Sequence, residues 1–280
     1  MRRLGSGVRR AVGGGAGTEA REAADIKARL SRAVASCRQI AVVSVRGGAG
    51  KTTITALTAE IMAEHRTDRV LAVDADSGLG SLPLRLGVRP NRALADIVTA
   101  PTRSWEETSA LLTRSGERLW VLPGSLDGRM AAELNLGAFQ AAYGRLSRYF
   151  STALVDCGAG IHGELQRGVL GTAHAQLLIT PGTVDGAISA MSALDWFATH
   201  GQAALLRRTV VVLVTHSPHA DADLARVQDM LSTNGMPVFH LPYDRHLAGG
   251  AAIDLSRVST ATRTAAVRIA DEVFTLSLGA

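Results

Sequence analysis

The sequence predicts an α/β fold: a doubly wound, mostly parallel sheet flanked by helices. Three observations carry that expectation. From Gln39 onward, short apolar β-branched runs alternate with helix-forming stretches, the pattern of a parallel sheet covered on both faces. The first run, Ile40 to Val45, passes into a glycine-rich turn that opens a helix. Several later runs end in short motifs carrying Asp, Gly or Pro, which gathers polar residues at strand ends.

Composition sets the outer limits. The chain has 280 residues, 46% of them hydrophobic, and no apolar run near the 18 residues that would suggest a transmembrane span. The basic N-terminus is followed by glycine rather than an apolar stretch, so no secretory signal is expected. Cys37 and Cys157 have no metal-binding spacing and suggest no disulfide framework; a cytoplasmic protein is expected. Residues 1–38 hold nine basic and three acidic side chains, a net +6, and the whole chain carries +5, so residues 39–280 carry −1. The expected division is a basic Gly/Arg-rich arm with a leading helix over 1–38, then one domain over 39–280.

Met1 to Gly17 has little to bury and reads as disordered, its four arginines suited to an anionic surface or to solvent. Thr18 to Ser36 reads as a helix with Ala24, Ile26, Leu30, Ala33 and Val34 along one stripe. It either docks on the domain or faces a partner.

The chain is organised around Arg46-Gly47-Gly48-Ala49-Gly50-Lys51-Thr52-Thr53, between the first strand and a helix over Ile54–Ala63. Small residues let backbone N–H groups close around phosphates, and the helix N-terminus adds partial positive charge. In such a loop Lys51 reaches the β- and γ-phosphates and the Thr52 hydroxyl sits on Mg²⁺. The ordinary pattern G-x-x-x-x-G-K-[ST] wants glycine five positions before Gly50, where this chain has Val45.

The run [KR]-G-G-x-G-K-T-T resembles the deviant Walker A of the MinD/ParA family of P-loop ATPases. The resemblance implies a P-loop NTPase of the SIMIBI, MinD-like kind, binding ATP and Mg²⁺ and dimerising with ATP. In that family the first basic residue of the loop crosses to the partner's nucleotide; it is usually lysine, and here it is Arg46.

After a short strand, Arg69–Val73, comes Asp74-Ala75-Asp76-Ser77-Gly78-Leu79-Gly80-Ser81-Leu82, which resembles the family's switch I. It implies that Asp76 positions the attacking water and stands near the metal, with Asp74 in support. Leu94–Val98 and Trp105–Leu112 read as helices, Arg118–Leu122 as a strand, and Ala138–Phe150 as a helix. The strand Ala153–Val155 ends in Asp156-Cys157-Gly158-Ala159-Gly160, a Walker B carboxylate that holds Mg²⁺ through water. The same stretch resembles switch II, where Gly158 lets the backbone approach the γ-phosphate. Cys157 reads as a small apolar filler.

Gln176–Thr180 and Thr209–Val214 read as further strands, with a helix over Asp185–Thr199 between them. At the end of the second, where the family places an asparagine against the adenine, His216 or Ser217 stands instead. His216 and His219 lack two further metal ligands nearby and read as loop histidines. Leu241-Pro242-Tyr243-Asp244 resembles the family's P-x-D beside the adenine, so Pro242 and Asp244 are assigned to the nucleotide. The helix over Thr260–Leu276 has Arg263 and Arg268 against Asp271 and Glu272, which is no lipid-binding face.

These motifs imply an ATPase in which Arg46, Lys51 and Asp76 act on the phosphates and turnover is slow without a partner. The cycle would position or assemble a protein partner, in secretion or cell-pole machinery, engaged through the arm or the dimer surface. Recruitment to a membrane or pole would then come from that partner. The alternatives are a ParA-type DNA-partitioning ATPase, disfavoured by the −1 of residues 39–280, and a nucleotide-binding scaffold without turnover.

Overall fold

The computed structural model of the protein describes residues 13–76, 80–101, 104–126, 134–218, 224–232 and 235–279. Four arginines of the arm (Arg2, Arg3, Arg9, Arg10), Ser77 to Leu79 of the switch I motif, and His219 lie outside the described residues.

Eight strands form one sheet: β1 (Arg38–Val43), β2 (Val70–Ala75), β3 (Thr113–Ser115), β4 (Leu119–Leu122), β5 (Thr152–Cys157), β6 (Ala175–Pro181), β7 (Thr209–Val214) and β8 (Val238–Leu241). Their order is β3-β4-β2-β5-β1-β6-β7-β8. All neighbours are parallel except the edge pair β3 and β4. β1 sits between β5 and β6; β2 and β4 lie beyond β5 on one side, and β7 and β8 lie beyond β6 on the other. Such a switch point leaves a crevice at the carboxyl ends of the central strands.

Alternation along β1 shows why both faces must be covered. Ile40 and Val42 join one apolar cluster, with Ile54, Leu57 and Ile61 of the helix Lys51–His65 and Ile269, Val273 and Phe274 of the helix Thr260–Ser277. Ala41 and Val43 join the other, with Phe139, Val169 and Phe197 from the helices Leu136–Leu146, Glu164–Thr172 and Val184–Thr199. The doubly wound parallel sheet expected from the sequence is the fold observed.

The leading helix docks on the domain. It spans Gly13–Leu30 rather than Thr18–Ser36, and it buries Ile26 and Leu30 in the first cluster while Ala24 and Ala33 stay exposed. Its end is fixed by Arg66, wholly buried, whose guanidinium donates to the carbonyls of Leu30 (2.7 Å) and Arg32 (3.1 Å). Carbonyls at a helix end have no partner within the helix, and here a buried cation supplies one. Arg29 also pairs with Asp271 (2.5 Å) and Glu22 with Arg268 (2.8 Å) on the helix Thr260–Ser277.

Two boundaries differ from expectation for local reasons. β1 stops at Val43, because the Ser44 hydroxyl turns to donate to the Arg46 carbonyl (2.7 Å) and starts the loop early. The expected helix over Trp105–Leu112 covers only Trp105–Ser109, and Thr113–Ser115 instead pairs with β4 across a turn where Gly116 adopts φ 74°. That strand is three residues long and polar, so its sequence gave no apolar run to read.

Candidate functional site

The loop from Ser44 to Gly50 is shaped by its glycines. Gly48 (φ 73°) and Gly50 (φ 98°) occupy the left-handed region that side chains resist. A Cβ on Gly50 would also meet His216 and Val214. Gly50 is the residue capping the helix Lys51–His65 and brings no side-chain cap to it. The first-turn N–H groups of that helix therefore point into the crevice without a side chain from this position in front of them.

A cleft of about 450 Å³ opens at this helix end. Gly47, Gly48, Gly50, Lys51, Thr52 and Thr53 form its floor, and Asp76 stands on one wall. His216, Pro242 and Asp244 stand on another, so all of these expected residues are brought together. Ala49 is buried behind the loop. Gly158 sits against Asp76: a Cβ there would lie 3.1 Å from the Asp76 Oδ1, so the absent side chain makes room for that carboxylate. The switch II loop is tied to the end of β1 by the Gly160 N–H donating to the Ser44 carbonyl (3.0 Å).

Below the cleft lie two buried carboxylates, Asp74 on β2 and Asp156 on β5. Burial pushes the Asp156 carboxyl up to about 7, and neighbouring Asp74 adds to the rise. A hydrogen bond with Thr52 and the charge of Lys51 oppose it. The Asp156 Oδ1 is buried with no hydrogen-bond partner. A hydrated divalent cation beside Thr52 would satisfy that atom and offset the cost of its charge. The donors here, Thr52, Asp76 and Asp156, are all oxygen, the chemistry Mg²⁺ prefers. Among the described residues no group of three or more His, Cys, Asp or Glu side chains is placed to hold a metal ion.

Asp74 has a different task. It accepts the backbone N–H groups of Asp76 (3.1 Å) and Leu82 (3.3 Å), so it ties down both ends of the switch I segment. Burial pushes its carboxyl up to about 6, against those two hydrogen bonds. Asp244 is likewise engaged. It accepts from His246 (2.9 Å), Leu247 (3.2 Å) and Ser259 (2.8 Å). Burial would raise it, but these bonds hold it below the ordinary carboxylate range. It caps the helix Arg245–Ala248 and so shapes the wall beside Pro242.

Arg46 does not line the cleft. It is half exposed and pairs with Asp185, at the start of the helix Val184–Thr199. The cleft also takes residues that carry no assignment from sequence, among them Ser81, Arg85, Thr215 and Tyr243. Tyr243 sits inside the P-x-D stretch and was there to be read. Arg85 carries no local signal, because it reaches the cleft through folding, where it donates to the carbonyls of Leu247 (2.9 Å) and Ala251 (3.4 Å). Cys157 is a buried free thiol in the apolar cluster beneath β5, as expected of a filler.

Comparison with known proteins follows the same lines. Residues 40–255 match the family model described as the CobQ/CobB/MinD/ParA nucleotide binding domain. EspI of Mycobacterium tuberculosis, an ESX-1 secretion-associated protein, is 35% identical over 236 residues, 82% of this chain but 35% of EspI. The chain thus spans about a third of that relative's length. The antiactivator FleN of Pseudomonas aeruginosa is 28% identical over 216 residues, 73% of each chain. Among solved structures, a ParA family ATPase of Chlorobium tepidum superposes with a TM-score of 0.70 at 18% identity, covering 84% of this chain and 98% of that one. The MinD of Pyrococcus horikoshii, solved with Mg-ADP, gives 0.65 at 21% identity, covering 85% and 96%. With its phosphate loop, paired strand-end carboxylates and doubly wound sheet, the chain belongs to the MinD/ParA family of P-loop ATPases.

Proposed function

We propose that this protein is a MinD-like switch: it binds Mg²⁺-ATP in the cleft, dimerises when loaded, hydrolyses ATP slowly, and in doing so positions or assembles a protein partner. The observation that carries the reading is the convergence of Lys51, Thr52, Asp76 and Asp156 on the free N-terminus of the Lys51–His65 helix. Lys51 and the loop amides bind the β- and γ-phosphates. Asp76, on the cleft wall, orients water for in-line attack, and Gly158 leaves it the space. Thr52, and through water Asp156, would hold Mg²⁺, whose charge would be available to offset that of the phosphates. Arg46, exposed at the rim, is the residue assigned to the second copy's phosphates. The likeness to EspI over four-fifths of this chain supports a secretion-associated partner.

Calorimetry with Mg²⁺-ATP, light scattering of the loaded protein and phosphate release test the reading together, with Asp76→Ala as the hydrolysis control. The expected result is ATP binding by both proteins, an ATP-dependent dimer, and phosphate release by the parent alone. No ATP affinity, or a loaded protein that stays a monomer, would overturn it. Phosphate release by the parent no higher than the background of Asp76→Ala, with ATP still bound, would leave a nucleotide-binding scaffold; release by Asp76→Ala at the parent's rate would remove Asp76 from hydrolysis. An ATP-dependent gel shift of DNA, lost at about 200 mM salt, would favour DNA partitioning instead.

A further inference from the structure

Beyond Pro242 the cleft wall continues as a loop closed on itself. The Asp244 carboxylate accepts the N–H groups of His246 and Leu247 with Oδ1 and that of Ser259 with Oδ2, so one side chain holds both ends of residues 244–259. Within the loop the Asp254 N–H donates to His246 Nε2 (2.8 Å). Leu247 and Ile253 seat it in the first apolar cluster. A loop with its ends joined and its own side chains inside is a compact body.

The switch I segment is fastened to this body at its far end. Arg85, half-buried, donates from Nη1 to the carbonyls of Leu247 (2.9 Å) and Ala251 (3.4 Å). Its own carbonyl accepts the Ile253 N–H (2.8 Å). Two residues on, the segments touch: a Cβ on Gly87 would lie 3.3 Å from that of Ala252. Arg85, Leu247 and Ala248 all line the cleft, so this bridge borders the space a nucleotide would fill.

At its near end the same segment is fastened to the hydrolytic side. The Leu82 N–H donates to Asp74 Oδ2, and the other oxygen of that carboxylate accepts the Asp76 N–H. Between the two fastenings lies only the helix Leu82–Arg85, four residues long. A helix that short has little stability of its own, so the groups holding its ends set its position. From the loop 244–259 to Asp76 the links are therefore continuous: Arg85, one helical turn, Asp74.

We infer that Arg85 is a positioning residue: it makes switch I follow the wall beside the nucleotide base, so that a seated base, and not the phosphates alone, sets the place of Asp76. The inference rests on the ATPase reading proposed above and adds to it a control at the base end of the cleft. Arginine suits the task, since one planar group can donate to two carbonyls at once.

Amide exchange tests this segment by segment. Parent, Arg85→Met and Arg85→Lys are each measured free, with Mg²⁺-ADP, and with magnesium tripolyphosphate, which has neither base nor ribose; calorimetry gives the affinities. The quantity compared is the slowing on binding within one protein, so a general loosening by the substitution cancels. In the parent, ADP should slow exchange at residues 82–86 at least about fivefold together with 244–253, whereas tripolyphosphate should slow the phosphate loop without them. Arg85→Met keeps an apolar stem and no donor. It should bind ADP within about threefold of the parent and still slow 244–253, with the slowing at 82–86 reduced below about twofold. Arg85→Lys, which keeps a donor, should recover part of it. Phosphate release from ATP should fall about fivefold in Arg85→Met, and that loss should not add to the loss in Gly80→Ala, whose new Cβ would meet the Asp74 carboxylate on the same path. The Ile253 bond to the main chain remains in every variant, so the differences read the side chain.

If tripolyphosphate slows residues 82–86 as ADP does, or if Arg85→Met keeps the parent's slowing there, the inference falls while the ATPase reading stands. A loss of ADP affinity beyond about tenfold in Arg85→Met would make Arg85 a binding residue and overturn it equally. If the parent binds neither ADP nor ATP, the reading of the cleft falls and takes the inference with it.

Discussion

Asp74 and Asp156 are cross-strand neighbours, paired in register between β2 and β5, and both are almost wholly buried. Burial raises each carboxyl; the charge of Asp74 raises Asp156 further, and the charge of Asp76 raises Asp74. Two adjacent buried carboxylates are an unfavourable arrangement for a fold to keep unless positive charge is brought to them. Lys51 supplies part of it, since its charge opposes the rise at Asp156. A divalent cation bound in the cleft, as proposed above, would supply the rest and relieve that load.

The first prediction follows from the sign of that load. The folded chain holds the Asp156 carboxyl at about 7, above its ordinary 3.8. Between those values the folded state binds more protons than the unfolded state, so stability without ligand falls as pH rises through that window and stays low above it. Asp156→Asn has no such charge to bury. Its melting temperature without nucleotide should match the parent only below about pH 4 and exceed it at pH 8, by the equivalent of about 1–2 kcal/mol after relaxation. Mg²⁺-ATP should stabilise the parent more than the variant, which keeps Lys51 and the loop amides but lacks the carboxylate assigned to the metal. A variant less stable than the parent at pH 8 would contradict this account.

A second prediction concerns the anchoring of switch I. A Cβ on Gly80 would run into the Asp74 carboxylate, which accepts the N–H groups at both ends of the segment. Gly80→Ala should displace that carboxylate and loosen the placement of Asp76. Phosphate release should fall about tenfold or more while ATP affinity changes by less than about threefold, because Lys51 and the loop amides are untouched. Equal losses in both would show that the segment serves binding rather than hydrolysis.

The parts legible in the sequence are those that local chemistry dictates. A loop that must close on phosphates needs Gly48 and Gly50 at positive φ, and a strand end that must hold a cation needs Asp156; both announce themselves in eight or fewer residues. Asp185 could not be found this way, since 139 residues separate it from Arg46. Nor could the docking of the leading helix be decided. Ile26 and Leu30 show the same spacing whether they meet a sheet or a partner. What settles their place is Arg66, 36 residues on, reaching back to the Leu30 carbonyl.

That arginine makes a third prediction. Arg66 is wholly buried, bonded to two carbonyls at the helix end, to Asp68 (2.7 Å) and to Ser151 (3.2 Å), and lies 4.5 Å from the Phe274 ring centre. Arg66→Met fills similar space but removes the donor from both carbonyls and leaves Asp68 with only the Ser151 hydroxyl. The expected cost is about 2–4 kcal/mol in denaturant unfolding. Amide exchange in residues 17–30 should rise more than in β1 or β5. A loss confined to the sheet would mean that the helix is held by its apolar contacts alone.

The final prediction separates the structural from the functional worth of Arg46. Its pair with Asp185 is exposed on both sides, and such pairs contribute between nothing and about 1 kcal/mol. Arg46→Ala should therefore leave the melting temperature of the free protein almost unchanged. If the guanidinium serves the other copy's phosphates, the same variant should keep ATP affinity within about threefold and lose dimerisation and at least about tenfold in phosphate release. Arg46→Lys keeps the charge but exchanges a planar fork for a compact ammonium, so it should still dimerise with a hydrolysis rate changed severalfold. Concentration-dependent phosphate release reads all three at once, because a residue acting across an interface changes the rate per copy only where copies meet. Parent-like dimerisation and hydrolysis by Arg46→Ala would remove Arg46 from the interface and leave it as a surface ion pair.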